Sequence, residues 1–175
     1  MLDRLNGFKY YSTKEYVLRF LWAFISPLWT YSPRYFWFWR RWLIRLFGGE
    51  VASNVKIYPS AKISQPWNLI IKKNTTISWE VIIYAIGKIK IGEKVVISQK
   101  VHLCSGTHDI KGKSFKLIRS SIEIKDNVWI ASEAFIGNGV KIGSNSVVGA
   151  RAVVFSDVLE NHVVVGNPAK IIKKR

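Results

Sequence analysis

Cysteine is nearly absent: Cys104 is the only one in 175 residues. A disulfide framework is excluded, and so sparse a thiol content fits a reducing compartment. With no polarised surroundings visible, Cys104 reads as a small packing residue rather than a nucleophile. Acidic residues are scarce too, 11 against 27 Lys and Arg, which leaves a formal net charge of +16. Such a field attracts phosphate in nucleic acid, anionic lipid or a phosphorylated cofactor. Long apolar runs are also missing. The uncharged stretch between Arg19 and Arg34 has 14 residues and contains Pro27, whereas a membrane-spanning helix needs about 20. No small-residue cleavage site follows it, so a signal peptide is not expected. The chain is nevertheless 49% hydrophobic and 22% charged, which is not a disordered composition.

Aromatic residues are abundant and unevenly placed. Residues 1–47 hold 16 of the 24, with eight basic and only two acidic side chains. Nucleic-acid binders also mix cations with aromatics. The uncharged run 20–33 suits lipid better than a phosphodiester backbone, so no nucleic-acid partner is expected. After Pro33, Phe36, Trp39, Leu43 and Phe47 recur at helical spacing, with Arg34, Arg41 and Arg45 on another face. Two readings of this helical segment stand side by side. Its aromatics and cations suit the headgroup region of an anionic membrane. They also suit packing on the main domain or on a neighbouring subunit.

From residue 48 a six-residue period takes over. Ile124, Ile130, Ile136, Ile142, Val148 and Val154 stand six apart, and small or branched residues follow four positions later. An α-helix would smear this period around its surface. Short strands joined by tight turns can use it, with Gly or Asn supplying positive φ. Hexapeptide repeats mark parallel β-helices, in which stacked coils share one core. The fold class is therefore all-β: a parallel β-helix of about five coils over residues 51–160, preceded by the N-terminal helical segment. Two shifts of two residues, near 70 and 84, read as turn insertions. The period carries no hand.

Residues 109–121 interrupt the repeat with a basic, Gly-containing excursion, and excursions on a rigid scaffold tend to carry function. His108 stands at its base, in Ser105-Gly106-Thr107-His108-Asp109. General-base catalysis near neutral pH favours histidine, which makes His108 the candidate base. Asp109 and backbone carbonyls are the candidates for orienting its ring. His102 shares the hexad phase one repeat earlier, on a different face, and His162 lies beyond the last regular hexad. Three histidines could ligate zinc, but these point apart, and no metal is expected.

Several segments resemble the hexapeptide acetyltransferases, the group with galactoside, maltose and xenobiotic O-acetyltransferases. They are Trp129-Ile130-Ala131-Ser132, Ile136-Gly137-Asn138-Gly139-Val140-Lys141-Ile142-Gly143, Val148-Gly149-Ala150 and Val165-Gly166-Asn167-Pro168-Ala169-Lys170. Within that group, Ser32-Pro33-Arg34 and Trp39–Gly48, followed by Ile57–Ile63, are similar to the colanic-acid and exopolysaccharide-biosynthesis type.

The resemblance implies a left-handed β-helix, a homotrimer with active sites between subunits, and transfer from acetyl-CoA to a sugar or glycan acceptor. It implies His108 as the base, and Ser132 and Ala150 along the pantetheine arm. Lys170 and Lys173 would meet the coenzyme phosphates, with Glu80 and Trp129 on the acceptor side. Two departures stand out. Phe155-Ser156 replaces a usual Thr-Lys beside the nucleotide, and Ala131 replaces a usual Gly. A cytoplasmic enzyme, peripheral at the inner membrane, is the expected setting. N-acetylation of a nucleotide-linked amino sugar and a non-catalytic, membrane-associated β-helix are the alternatives.

Overall fold

The computed structural model describes residues 11–112 and 114–175. The first ten residues of the N-terminal segment and Lys113 of the excursion lie outside that range.

Three short strands per turn build three parallel sheets along a common axis. The first sheet stacks Glu50–Val51, Leu69–Ile71, Ile89–Ile91, Ile122–Ile124 and Lys141–Ile142. The second stacks Lys56–Ile57, Thr76–Ile77, Val96–Ile97, Trp129–Ile130, Val147–Val148 and His162–Val165. The third stacks Lys62–Ile63, Ile82–Tyr84, His102–Cys104, Phe135–Ile136 and Val153–Val154. This makes five complete coils and part of a sixth. Strand Lys170–Lys174 turns back antiparallel on His162–Val165. One aliphatic side chain per strand points inward: Ile57, Ile77, Ile97, Ile130 and Val148 form one fully buried row. Val51 pairs with Ile71, but Ile124 pairs with Ile142. The early coils are thus two residues longer, and the extra residues sit at the corner between the third and first sheets, where Pro66–Asn68 form a 3-10 turn.

Positive φ at the corners falls to Asn74, Lys94, Asn127, Asn145 and Asn161 in one column and to Glu80, Lys100, Glu133 and Arg151 in another. The glycines of the three Ile-Gly and Val-Gly pairs do something else. A Cβ on Gly137 would lie 2.7 Å from the Phe155 ring, one on Gly143 2.4 Å from the Glu160 nitrogen, and one on Gly149 2.6 Å from Val165 Cγ1. They permit close approach between coils rather than a left-handed turn, which corrects the expectation from sequence.

Helix α1, Thr13–Thr30, begins with a capping box in which Ser12 and Glu15 each accept the other's backbone N–H. Helix α2 spans Trp37–Leu46. Together they close the open end of the first coil. In this solenoid each coil donates N–H groups to carbonyls of the next, so Ile71, Thr75, Ile77, Val81 and Ile83 accept from the first coil. The matching carbonyls of the first coil have no preceding coil. Each receives a side chain instead. Arg45 donates to Val51, Arg41 to Val55 and Arg40 to Ile57, while Trp29 donates to Ala61 and Trp22 to Ile63. An unpaired buried carbonyl costs about 1–3 kcal/mol, so the cap removes a liability from all three sheets at once.

This settles which face of α2 meets what. Leu43, Ile44 and Phe47 are buried against the solenoid, and Arg41 and Arg45 spend their hydrogen bonds on it. Of the apolar face defined from sequence, Leu43 and Phe47 pack on the chain's own domain and Phe36 stays exposed, while Arg41 and Arg45 of the other face also bond to that domain.

Candidate active site

The excursion is an antiparallel hairpin in which Gly106–His108 pairs with Leu117–Arg119. It begins three residues before the repeat breaks down. Ser105 anchors its base: the hydroxyl donates to Tyr84 O at 2.8 Å and accepts the Gly87 N–H at 2.9 Å. Gly106 lets the hairpin leave over Ile86, since a Cβ there would lie 2.0 Å from Ile86 Cδ1.

His108 is half-buried at the far end of the first hairpin strand. Its ring stacks on Phe115, 4.3 Å between centroids and 9° from parallel. Its Nδ1 lies 2.9 Å from the Phe115 carbonyl oxygen. A carbonyl can only accept, so Nδ1 carries the proton, and in the neutral ring Nε2 keeps its lone pair. That is the tautomer a general base requires. Asp109 does not orient the ring. Its carboxylate accepts the N–H groups of Lys111 and Gly112 and shapes the hairpin turn. Phe115 is the residue sequence reasoning missed. It holds φ at 50° inside the loop, and no local pattern marked it.

The other histidines sit elsewhere. His102 faces outward from the third sheet with its ring edge-on to Phe135 at 5.2 Å, and burial holds its pKa below the ordinary value. The Nδ1 of His162 lies 2.7 Å from the Glu160 carbonyl oxygen. Among the described residues no three His, Cys, Asp or Glu side chains converge to hold a metal.

The residues matched to the coenzyme form a second group. Ser132 and Ala150 occupy successive coils of the corner between the second and third sheets, tied by Arg151 N–H to Ser132 O at 2.9 Å. Lys170 and Lys173 are exposed on the last strand, paired with Val165 and Val163 at the edge of the second sheet. Trp129 projects from that same sheet and donates to Ser98 Oγ at 3.0 Å. Glu80 lies lower in the Ser132 corner column and pairs with Lys100 at 3.8 Å. Phe155 is 63% exposed at the opposite corner of the third sheet, over Gly137 and beside Phe135 at 5.7 Å.

One chain therefore does not bring all these residues together. The His108 hairpin and Phe155 stand at the corner between the third and first sheets. Ser132, Ala150 and Glu80 stand at the corner between the second and third, with Trp129 and the lysines beside it. The whole third sheet separates the two groups.

Helix α1 reaches the hairpin. Glu15 bonds Arg119 at 2.6 Å, and the rings and guanidiniums of Arg19, Tyr11 and Arg119 layer at 4.3 and 4.9 Å. Burial pushes the Glu15 carboxyl up, but the Ser12 N–H and the Arg119 guanidinium outweigh it and hold the pKa below its ordinary value.

The bacterial transferase hexapeptide model, a description of six repeats, matches residues 121–156. WcaF of Escherichia coli (strain K12), named for colanic acid biosynthesis as an acetyltransferase, is 40% identical over 154 residues, covering 88% of this chain and 85% of its own. A galactoside acetyltransferase solved with coenzyme A superposes with a TM-score of 0.87 at 27% identity, covering 99% of this chain and 90% of that one. The hexapeptide-repeat acetyltransferase VCA0836 of Vibrio cholerae O1 biovar eltor, solved with acetyl-CoA, gives 0.84 at 27% identity over 99% and 96% of the two chains. A relative this similar over most of both chains settles the question of family: the protein belongs to the hexapeptide-repeat acetyltransferases.

Proposed function

We propose that the protein transfers acetyl from acetyl-CoA to a sugar hydroxyl of a surface-polysaccharide precursor. One observation supports this reading: the Phe115 carbonyl accepts the Nδ1 proton of His108, so in the neutral ring the lone pair a base needs lies on Nε2. Nε2 takes the acceptor hydroxyl proton as that oxygen attacks the thioester carbonyl. The carbon–sulfur bond then breaks, and the departing thiolate takes the proton from His108. Positioning supplies much of the rate, the base adds about 10²–10⁴-fold, and backbone N–H groups are the available oxyanion donors.

Two site groups on opposite corners fit an assembly in which each active site is shared between neighbours. A homotrimer meets this requirement with three equivalent clefts. The Ser132–Ala150 column of one subunit receives the pantetheine arm, Lys170 and Lys173 receive the phosphates, and the His108 hairpin belongs to the neighbour. Glu80 and Trp129 flank the acceptor. We place the enzyme in the cytoplasm, in peripheral contact with the anionic inner membrane, where lipid-linked glycans are assembled. The net charge of +16 supports that setting. Incubation with acetyl-CoA and oligosaccharide acceptors tests the chemistry. An acetyl ester that mild alkali removes is expected, and an alkali-stable amide would replace this reading with N-acetylation.

A further inference from the structure

The cap uses only one face of each helix. On α1, Trp22 and Trp29 face the solenoid, with Leu18 and Ile25 packed beside them. Phe20, Phe24 and Leu28, spaced four apart, are 63%, 71% and 58% exposed. On α2, Phe38, Trp42 and Leu46 repeat the spacing and are similarly exposed. Trp39 joins the two rows: it donates to the Leu28 carbonyl at 3.2 Å and stacks on Trp42 at 5.1 Å. One apolar ridge thus crosses both helices. Contiguous apolar surface of this kind marks a partner.

Three features select that partner. Both helices are fastened to the end carbonyls of the first coil, so the ridge belongs to an end of the solenoid. Prisms packed side by side bury their faces and leave such an end clear. Residues 16–49 contain no Asp or Glu, and Arg34 and Arg45 are exposed within them; an anionic surface meets no repulsion there. The ridge is rich in Phe and Trp, flanked by Tyr31 and Tyr35, and such side chains favour the membrane–water interface. No helix among the described residues is long and apolar enough to cross a membrane, so the helices lie along it.

We infer that the α1–α2 ridge is the surface that rests on an anionic bilayer, with the solenoid axis standing away from the membrane. The inference deepens the peripheral contact proposed above, and its test is separate from that of acetyl transfer. The full chain is floated with phosphatidylcholine vesicles containing one part in three of phosphatidylglycerol. Wild type should float with these vesicles and stay bound to a reduced extent at high salt. The double variant Phe24→Ser, Trp42→Ser should lose at least about tenfold in partitioning. Leu159→Ser, an exposed leucine at the other end of the solenoid, should float as wild type does. The double variant should stay folded and keep acetyl-CoA affinity, because neither side chain bonds to the first coil and Trp42 gives up only its stack on Trp39. Equal flotation of the double variant and wild type would overturn the inference. So would failure of wild type to float, or a drop in solution mass caused by the double variant, which would make the ridge an interface between copies. Loss of acetyl-CoA binding by wild type would instead strike the transferase reading and leave the ridge standing.

Discussion

The imidazole of His108 lies flat on the ring of Phe115, and the carbonyl of that same residue accepts its Nδ1 proton. One loop residue therefore sets both the plane and the tautomer of the candidate base. His108→Ala should lower kcat by 10²-fold or more while leaving melting temperature and acetyl-CoA affinity near wild type. Steady-state kinetics decide it. More than about a tenth of wild-type turnover would remove His108 from the chemistry. His102→Ala should be mild, because that ring packs on Phe135 away from the hairpin.

Lys170 and Lys173 are exposed cations on the last strand. Replacing both with Ala should raise KM for acetyl-CoA more than it lowers kcat, the pattern of lost uniform binding. Added salt should raise the wild-type KM in the same direction. An unchanged KM in the double variant would put the phosphates elsewhere.

Arg40 is fully buried, and among the described residues no carboxylate pairs with it. Its guanidinium donates to Ile57 O, Ser32 Oγ, Pro33 O and Arg34 O. Burial, with the charge of Arg41 beside it, pushes its pKa down to about 10. Arg40→Leu should cost about 3 kcal/mol or more, because those acceptors lose their donor, and lower Tm by roughly 6 °C or more. Trp29→Phe, which frees only the Ala61 carbonyl, should cost about 1–3 kcal/mol. Unchanged melting in both would mean that the cap does not hold the first coil.

The Glu15–Arg119 pair ties α1 to the His108 hairpin. The Glu15 pKa is depressed from the ordinary 4.5, so its stabilisation is complete above the unfolded value. It is lost as pH falls through the lower folded value. Protection factors of hairpin amides, taken against intrinsic exchange at each pH, should therefore fall below about pH 4.5, and Glu15→Gln should show the lower protection already at neutral pH. Equal protection in the variant and wild type would show that the hairpin is held without α1.

The sequence displays the coil because its cause is local: Ile124, Ile130 and Ile136 each need the same inward slot, six residues on. The cap is invisible there because its bonds are long-range. Trp22 reaches Ile63 across 41 positions, and Trp29 reaches Ala61 across 32. A tryptophan that caps a carbonyl, such as Trp22, and one left exposed, such as Trp42, look alike in a string. The position of His108 on the hairpin was legible from its place before the excursion. Phe115 was not, since a carbonyl partner depends on how the hairpin folds back. The glycines were misread for a related reason. Gly137 looks like a turn residue, but the ring of Phe155, eighteen positions on, is what excludes its Cβ.

The most direct test of acetyl transfer is the surface polysaccharide of cells carrying the wild-type gene, the His108→Ala gene or none. Mass spectrometry before and after mild alkali should show one acetyl ester per modified unit with the wild-type gene only. The ester should be missing from both other strains. Identical acetylation in all three, or an acetyl group that survives alkali, would contradict the account.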